Sequence, residues 1–218
     1  MHGAALDEHP DIGLTYGGIT PVDMAGKPFR DLAMASSPTG KHRELARLIT
    51  ANYIAAPTVL VRRAALENAG PFLDFTYSQD WAMWLAIALQ GWSLYGVETA
   101  VACYRRHPNN LTRPETLVRA LEDNLTMLEA TRQRFVNTLT PEYTRAFAAG
   151  KQRILRALGW HSLEHGMSDA SRKWFYLLSK ERVDNNMLMG YMLSTLPKPF
   201  YKSVHFMHSN LKRLIVHS

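Results

Sequence analysis

Only one cysteine, Cys103, stands among the 218 residues. That excludes an intrachain disulfide and fits a reducing compartment. No apolar run approaches the roughly 20 residues that a membrane-spanning helix needs. The first residues, MHGAALDEHPD, are acidic and have no apolar stretch, so no secretory signal is expected. The two NLT sequons, at Asn110 and Asn124, then read as coincidence. Acidic residues are absent after Asp184, whereas Lys198, Lys202, Lys212 and Arg213 follow it. The net charge of +6 is therefore largely a property of the tail and suggests contact with an anionic partner such as a membrane surface. No basic groove interleaved with aromatics supports nucleic acid as that partner.

Hydrophobic residues make up 46% of the chain and charged residues 20%, which is enough apolar material for packed cores and argues against long disorder. Two halves read differently. Residues 1–112 mix strand and helix signals. DIGLTYGG alternates Ile12, Leu14 and Tyr16 and ends in paired glycines, predicting a strand and a turn. VDMAGKP is turn chemistry, and a loop is expected from there to about Gly40. HRELARLITAN predicts a short helix, APTVLVRR a strand, and RAALENAG a helix stopped by Gly70. WSLYGVE and TAVACYRRH read as two strands. From Pro114 the pattern is helical, with helices expected over 115–138, 141–165, 168–180 and 185–195. GWHSLEHGMSDASRKWFYLLSK resembles one helical-repeat unit, and one unit makes no array.

The stretch YSQDWAMWLAIALQGW places Asp80 at the mouth of a helix that is otherwise uncharged. Ser78 suits the N-cap, which puts Asp80 in the first turn, where the helix dipole favours a carboxylate. Trp81, Trp84, Leu85 and Ala88 share one face, and Met83, Ile87 and Leu89 cover much of the rest, so the helix is expected to be buried. Asp80 then either satisfies first-turn amides or is held at a cleft for chemistry.

The order of LTYGG, NYIAAPTVLVRRAALENAGPF, SQDWAMWLAIA and CYRRHPNNLT over residues 1–112 resembles the second half of family 2 glycosyltransferases of the GT-A fold. The resemblance implies an α/β class: a partial, Rossmann-like GT-A domain over 1–112, followed by an all-helical extension over 113–218. It implies inverting sugar transfer from a nucleotide-sugar donor to a hydroxyl of a glycan or lipid-linked acceptor, with Asp80 as general base. Gln79 stands where the family often has a second acid. His107 would match a ligand of the divalent metal, Mn or Mg, that holds the diphosphate; otherwise it is a loop histidine bonded to backbone. Arg105 and Arg106 would face phosphates or acceptor, and Trp81 would stack on a sugar unless it packs in the core. The family's Asp-x-Asp does not occur, so the chain is expected to be the acceptor-side half, without the donor-binding half and weak toward nucleotide sugars alone. A cytoplasmic place, peripheral at the inner face of the membrane, goes with this.

Two further motifs compete. HSLEH fits the inverted zinc-protease pattern through His161, Glu164 and His165, with Glu181 or Asp184 close by as a later third ligand; a polar helix surface is the competing reading. Phe200, Val204, Met207, Leu211 and Leu214 form an apolar stripe beside Lys202, Lys212 and Arg213, which suits either an interfacial helix over 198–218 on anionic lipid or packing on the helical half. A non-catalytic helical interaction or membrane-surface module is the alternative to a transferase.

Overall fold

The computed structural model describes residues 2–29, 39–108, 110–111 and 116–196. The protein is α/β, with a four-stranded mixed sheet and eight α-helices among the described residues. It falls into two compact units, Met1–Lys151 and Gln152–Ser218. The lysine-bearing stripe predicted over 198–218 and most of the loop expected before Gly40 lie outside the described residues.

The first unit begins with α1 (His2–Glu8), a helix with no counterpart in the sequence-based expectation. It continues through β1 (Ile12–Val22), β2 (Gly40–His42), α2 (Leu45–Thr50), β3 (Leu60–Val61), α3 (Arg63–Ala69), α4 (Gln79–Leu89), β4 (Ser93–Arg105), α5 (Leu117–Arg134) and the first part of α6 (Pro141–Glu164). The strand order is β2-β4-β1-β3. The long strands β1 and β4 lie parallel at the centre, and the two short edge strands are antiparallel to them.

This pairing corrects two expectations. Gly17 and Gly18 do not turn the chain, because β1 runs on to Val22. Nor are there two strands after Gly91: Ser93–Arg105 is a single strand. One geometry explains both. Tyr16 pairs with Gly96 and Gly18 with Ala100, so β4 carries extra residues between these points as a bulge. A Cβ at Gly17 would lie 2.7 Å from Val97 Cγ2 and 2.8 Å from Val101 Cγ2. The glycines are there so that β4 can fold over β1, not to reverse direction. The APTVLVRR run likewise contributes only Leu60–Val61 to the sheet, the residues before it forming a 3-10 turn with Pro57.

The core of this unit sits around α4. All seven residues from Trp81 to Ile87 are buried, as an apolar surface on every side of a helix requires. The helix packs against α2, α3, α5 and β1. Gly70 and Gly91 end α3 and α4 at φ 83° and 93°, conformations that disfavour any residue with a Cβ.

The second unit holds the rest of α6, then α7 (Ser168–Glu181) and α8 (Asn185–Thr195). Phe175 is fully buried, its ring lying against Gly159 and Gly190. A Cβ at Gly190 would fall 2.2 Å from the ring. Trp160 meets Phe175 edge to face, with centroids 5.4 Å apart. Asp184 caps α8 by accepting from Met187 N–H at 2.8 Å, and Arg156 donates to its two carboxylate oxygens at 3.0 and 2.6 Å. No helix among the described residues is long and apolar enough to cross a membrane.

Candidate functional site

The start of α4 is built by three elements. Ser78 occupies the N-cap position but makes no side-chain cap. Its hydroxyl instead donates to Asp123 Oδ2 of α5 at 2.7 Å. The same oxygen accepts from Tyr77 N–H at 2.9 Å and Ser78 N–H at 3.0 Å. A carboxylate from a neighbouring helix thus takes up the amides that precede the first turn. From the other side, Trp81 Nε1–H donates to Leu48 O at 2.8 Å, tying α4 to α2.

Asp80 is half-buried at this anchored end. Its Oδ1 accepts from Trp81 N–H at 2.6 Å. Burial pushes its carboxyl above the ordinary carboxylate range. Hydrogen bonds from Trp81 N–H, from its own N–H and from the Asn52 side chain pull the other way without cancelling the effect. All of these donors are neutral. Asp80 therefore satisfies a first-turn amide and also has a proton affinity raised above that of a free carboxyl. Of the two sequence-level readings, the first-turn amide contact is the one seen in the structure.

Trp81 is not available to a ligand. It is 2% exposed with its indole N–H consumed by Leu48, so the expectation of stacking on a sugar is corrected to core packing. Arg105 is exposed and donates from Nη1 to Asp23 O at 3.3 Å and Met24 O at 2.7 Å, closing the Asp23–Lys27 turn against β4. His107 is exposed in a tight turn: its N–H donates to Asn110 Oδ1, and its carbonyl accepts from Asn110 N–H, both at 3.1 Å. Among the described residues, no group of three or more His, Cys, Asp or Glu side chains is gathered to hold a metal ion. Among the described residues His107 belongs to no gathered group of carboxylate, thiolate or imidazole side chains with which to form a divalent-cation site.

The HSLEH motif likewise belongs to no gathered group of three or more metal-ligating side chains among the described residues. The rings of His161 and His165 lie 4.1 Å apart, and His165 Nδ1 bonds to the His161 carbonyl at 2.9 Å, one helical turn back. Burial and the neighbouring imidazole lower the pKa of His161. These contacts describe a polar helix surface.

Sequence reasoning missed Asn52 and Asp123. Asn52 carried a signal, its place just before the β-rich run. Asp123 carried none, because its bonds reach back about 45 positions along the chain. Also unforeseen is a cluster under β2. Tyr16 Oη and His42 Nε2 are 2.8 Å apart, the Tyr53 ring lies 5.8 Å from Tyr16, and the Arg47 guanidinium lies 5.2 Å from the Tyr53 ring centre. Burial raises the Tyr53 phenol to about 12 and lowers His42, so these rings form a brace between β1, β2 and the segment after α2, beside the Arg47 cation. A cavity of about 130 Å³ lined by Arg43, Leu45, Leu89, Trp92, Leu94 and Tyr143 lies at the far end of α4, roughly 13 Å along the helix from Asp80. It is therefore separate from the carboxylate.

The chain matches no model of a known protein family and no curated protein.

Proposed function

We propose that this chain carries the acceptor side of an inverting glycosyltransferase, with Asp80 as its general base. The observation that carries the reading is the setting of Asp80. It is a half-buried carboxyl of raised proton affinity, on a helix start anchored by Asp123 and Leu48. A base needs that combination of rigid placement and a pKa moved toward the working pH. The ordered series of short motifs from Leu14 to Thr112, which resembles family 2 enzymes, supports the same reading. So does connectivity. α4 leads through a short turn into the start of β4, and Asp80 lies at the opposite end of α4. Open α/β sheets receive ligands on the side away from the strand starts.

In the reaction, the acceptor hydroxyl oxygen attacks the anomeric carbon of the donor sugar. A new C–O bond forms as the bond to the nucleotide diphosphate breaks, and the diphosphate leaves with the electron pair. The hydroxyl proton passes to the Asp80 carboxylate. The acceptor class is a glycan or lipid-linked glycan, and the donor is a nucleotide sugar. The test is Asp80→Asn in an enzyme that joins this chain to a donor-binding segment. Turnover should fall at least ~10²-fold with donor affinity little changed. Near-normal turnover would remove the assignment.

A further inference from the structure

We propose that the cavity at the far end of α4 binds a small aromatic carboxylate: the Arg43 guanidinium takes the carboxylate, and an apolar floor with the rings of Trp92 and Tyr143 takes the aromatic body. The site stands apart from Asp80, so it does not rest on the transferase reading.

The cation is built in. Arg43 directly follows β2, and its Nε–H donates to Ser93 Oγ at 3.0 Å. That hydroxyl belongs to a fully buried residue and spends its own proton on Asp11 Oδ2, also at 3.0 Å. It can therefore only accept from Arg43, which fixes the Nε edge of the guanidinium. Asp11 in turn holds Lys41 Nζ at 2.8 Å, and this bond draws its carboxyl below the ordinary range. One carboxylate thus serves two cations, Lys41 directly and Arg43 only through the serine. Glu44, the residue after Arg43, pairs with Arg47 instead, at 3.4 Å. Among the described residues, the two Nη nitrogens of Arg43 have no hydrogen-bond or ion-pair partner. The open edge of an oriented guanidinium is a two-pronged donor whose geometry matches a carboxylate.

Size and lining select the rest of the ligand. The cavity measures about 130 Å³. An apolar cavity of about 150 Å³ admits benzene, so one six-membered ring is the scale of body that fits. Leu45 and Leu94 are buried at its floor. Trp92 is seated against Gly13, where a Cβ would lie 2.7 Å from Trp92 Cβ, so its indole has a fixed base from which to pack on a ligand ring. One feature opposes an anion: α4 ends here, and a helix C-terminus disfavours negative charge by about two- to fivefold in affinity. A charge-assisted hydrogen-bond pair favours it by roughly 10- to 100-fold, so the cation prevails.

The experiment titrates the full chain with benzoate and follows the Trp92 indole and the Leu45 and Leu94 methyl signals by NMR. Saturable shifts are expected, with a Kd on the order of 1 mM. Benzamide keeps the ring and drops the charge, and acetate keeps the charge and drops the ring. Each should bind at least ~10-fold more weakly than benzoate. Arg43→Gln should weaken benzoate by a similar factor and leave benzamide unchanged. Absence of saturable shifts with benzoate overturns the proposal. So does benzamide binding as well as benzoate, which describes an apolar crevice, or acetate binding as well, which describes a bare surface cation. Unchanged benzoate affinity in Arg43→Gln overturns it too. If that variant fails to fold, the comparison of the three ligands on the parent protein decides.

Discussion

Each compact unit places an aspartate at the start of a helix, and the two are held in opposite ways. In the second unit Asp184 caps α8, receives both guanidinium N–H groups of Arg156, and has its pKa depressed by those bonds. In the first unit Asp80 opens α4 with only neutral donors around it, and burial drives its pKa upward. The folded state prefers Asp184 ionised and tolerates Asp80 ionised at a cost. A carboxylate that the fold stabilises is accounted for by stability alone. One that the fold makes less stable calls for a function to explain its presence.

The largest effect on stability should come from Asp184→Ala. It removes the α8 cap and leaves Arg156 without its anion, costing about 2 kcal/mol. Thermal melts of the second unit, followed through Trp160 and Trp174, measure it. A loss below about 0.5 kcal/mol would break the comparison by making both aspartates dispensable to the fold. A smaller effect should appear in acid. Because the Asp184 pKa is depressed on folding, its contribution is complete above the ordinary carboxylate range and fades as pH falls below that range. Asp184→Asn should therefore flatten the acid limb of the stability profile below about pH 4. The smallest effect belongs to Asp80→Asn. With its pKa raised on folding, stability falls as pH climbs from the unfolded toward the folded value. The variant should match or exceed the parent by up to about 1 kcal/mol at pH 7, and lose that advantage below about pH 4. A marked destabilisation at pH 7 would place Asp80 with Asp184 as a purely structural carboxylate.

Much of the helical architecture was legible because it depends on local chemistry. Pro141 opens α6, Gly70 and Gly91 stop α3 and α4, and the all-round apolar surface of α4 marks it as buried. The helical half from residue 115 reappears as α5 to α8, although α5 and the start of α6 belong to the first compact unit. The sheet was harder to read, because its signals are non-local. A glycine pair reads as a turn until Val97 and Val101 are seen lying over Gly17. Ser78 reads as a cap until Asp123 is found taking its hydroxyl. At the candidate site, Asp80 was legible from its position in the helix, whereas its surroundings were not. Trp81 was expected to be open to a sugar in one reading and is sealed.

The parallel pairing of β1 with β4 has a consequence for synthesis. Ile12 pairs with Ser93 and Val22 with Arg105, partners about eighty residues apart. On a ribosome adding 5–20 residues per second, β1 emerges roughly 4 to 16 s before the strand that covers it. Ile12, Leu14 and Tyr16, all at most 1% exposed in the finished fold, spend that interval without their principal neighbour. The nascent chain therefore carries a strand with its β4 edge open through the making of α2, α3 and α4, and its yield in a cell depends on what shields that edge until β4 arrives.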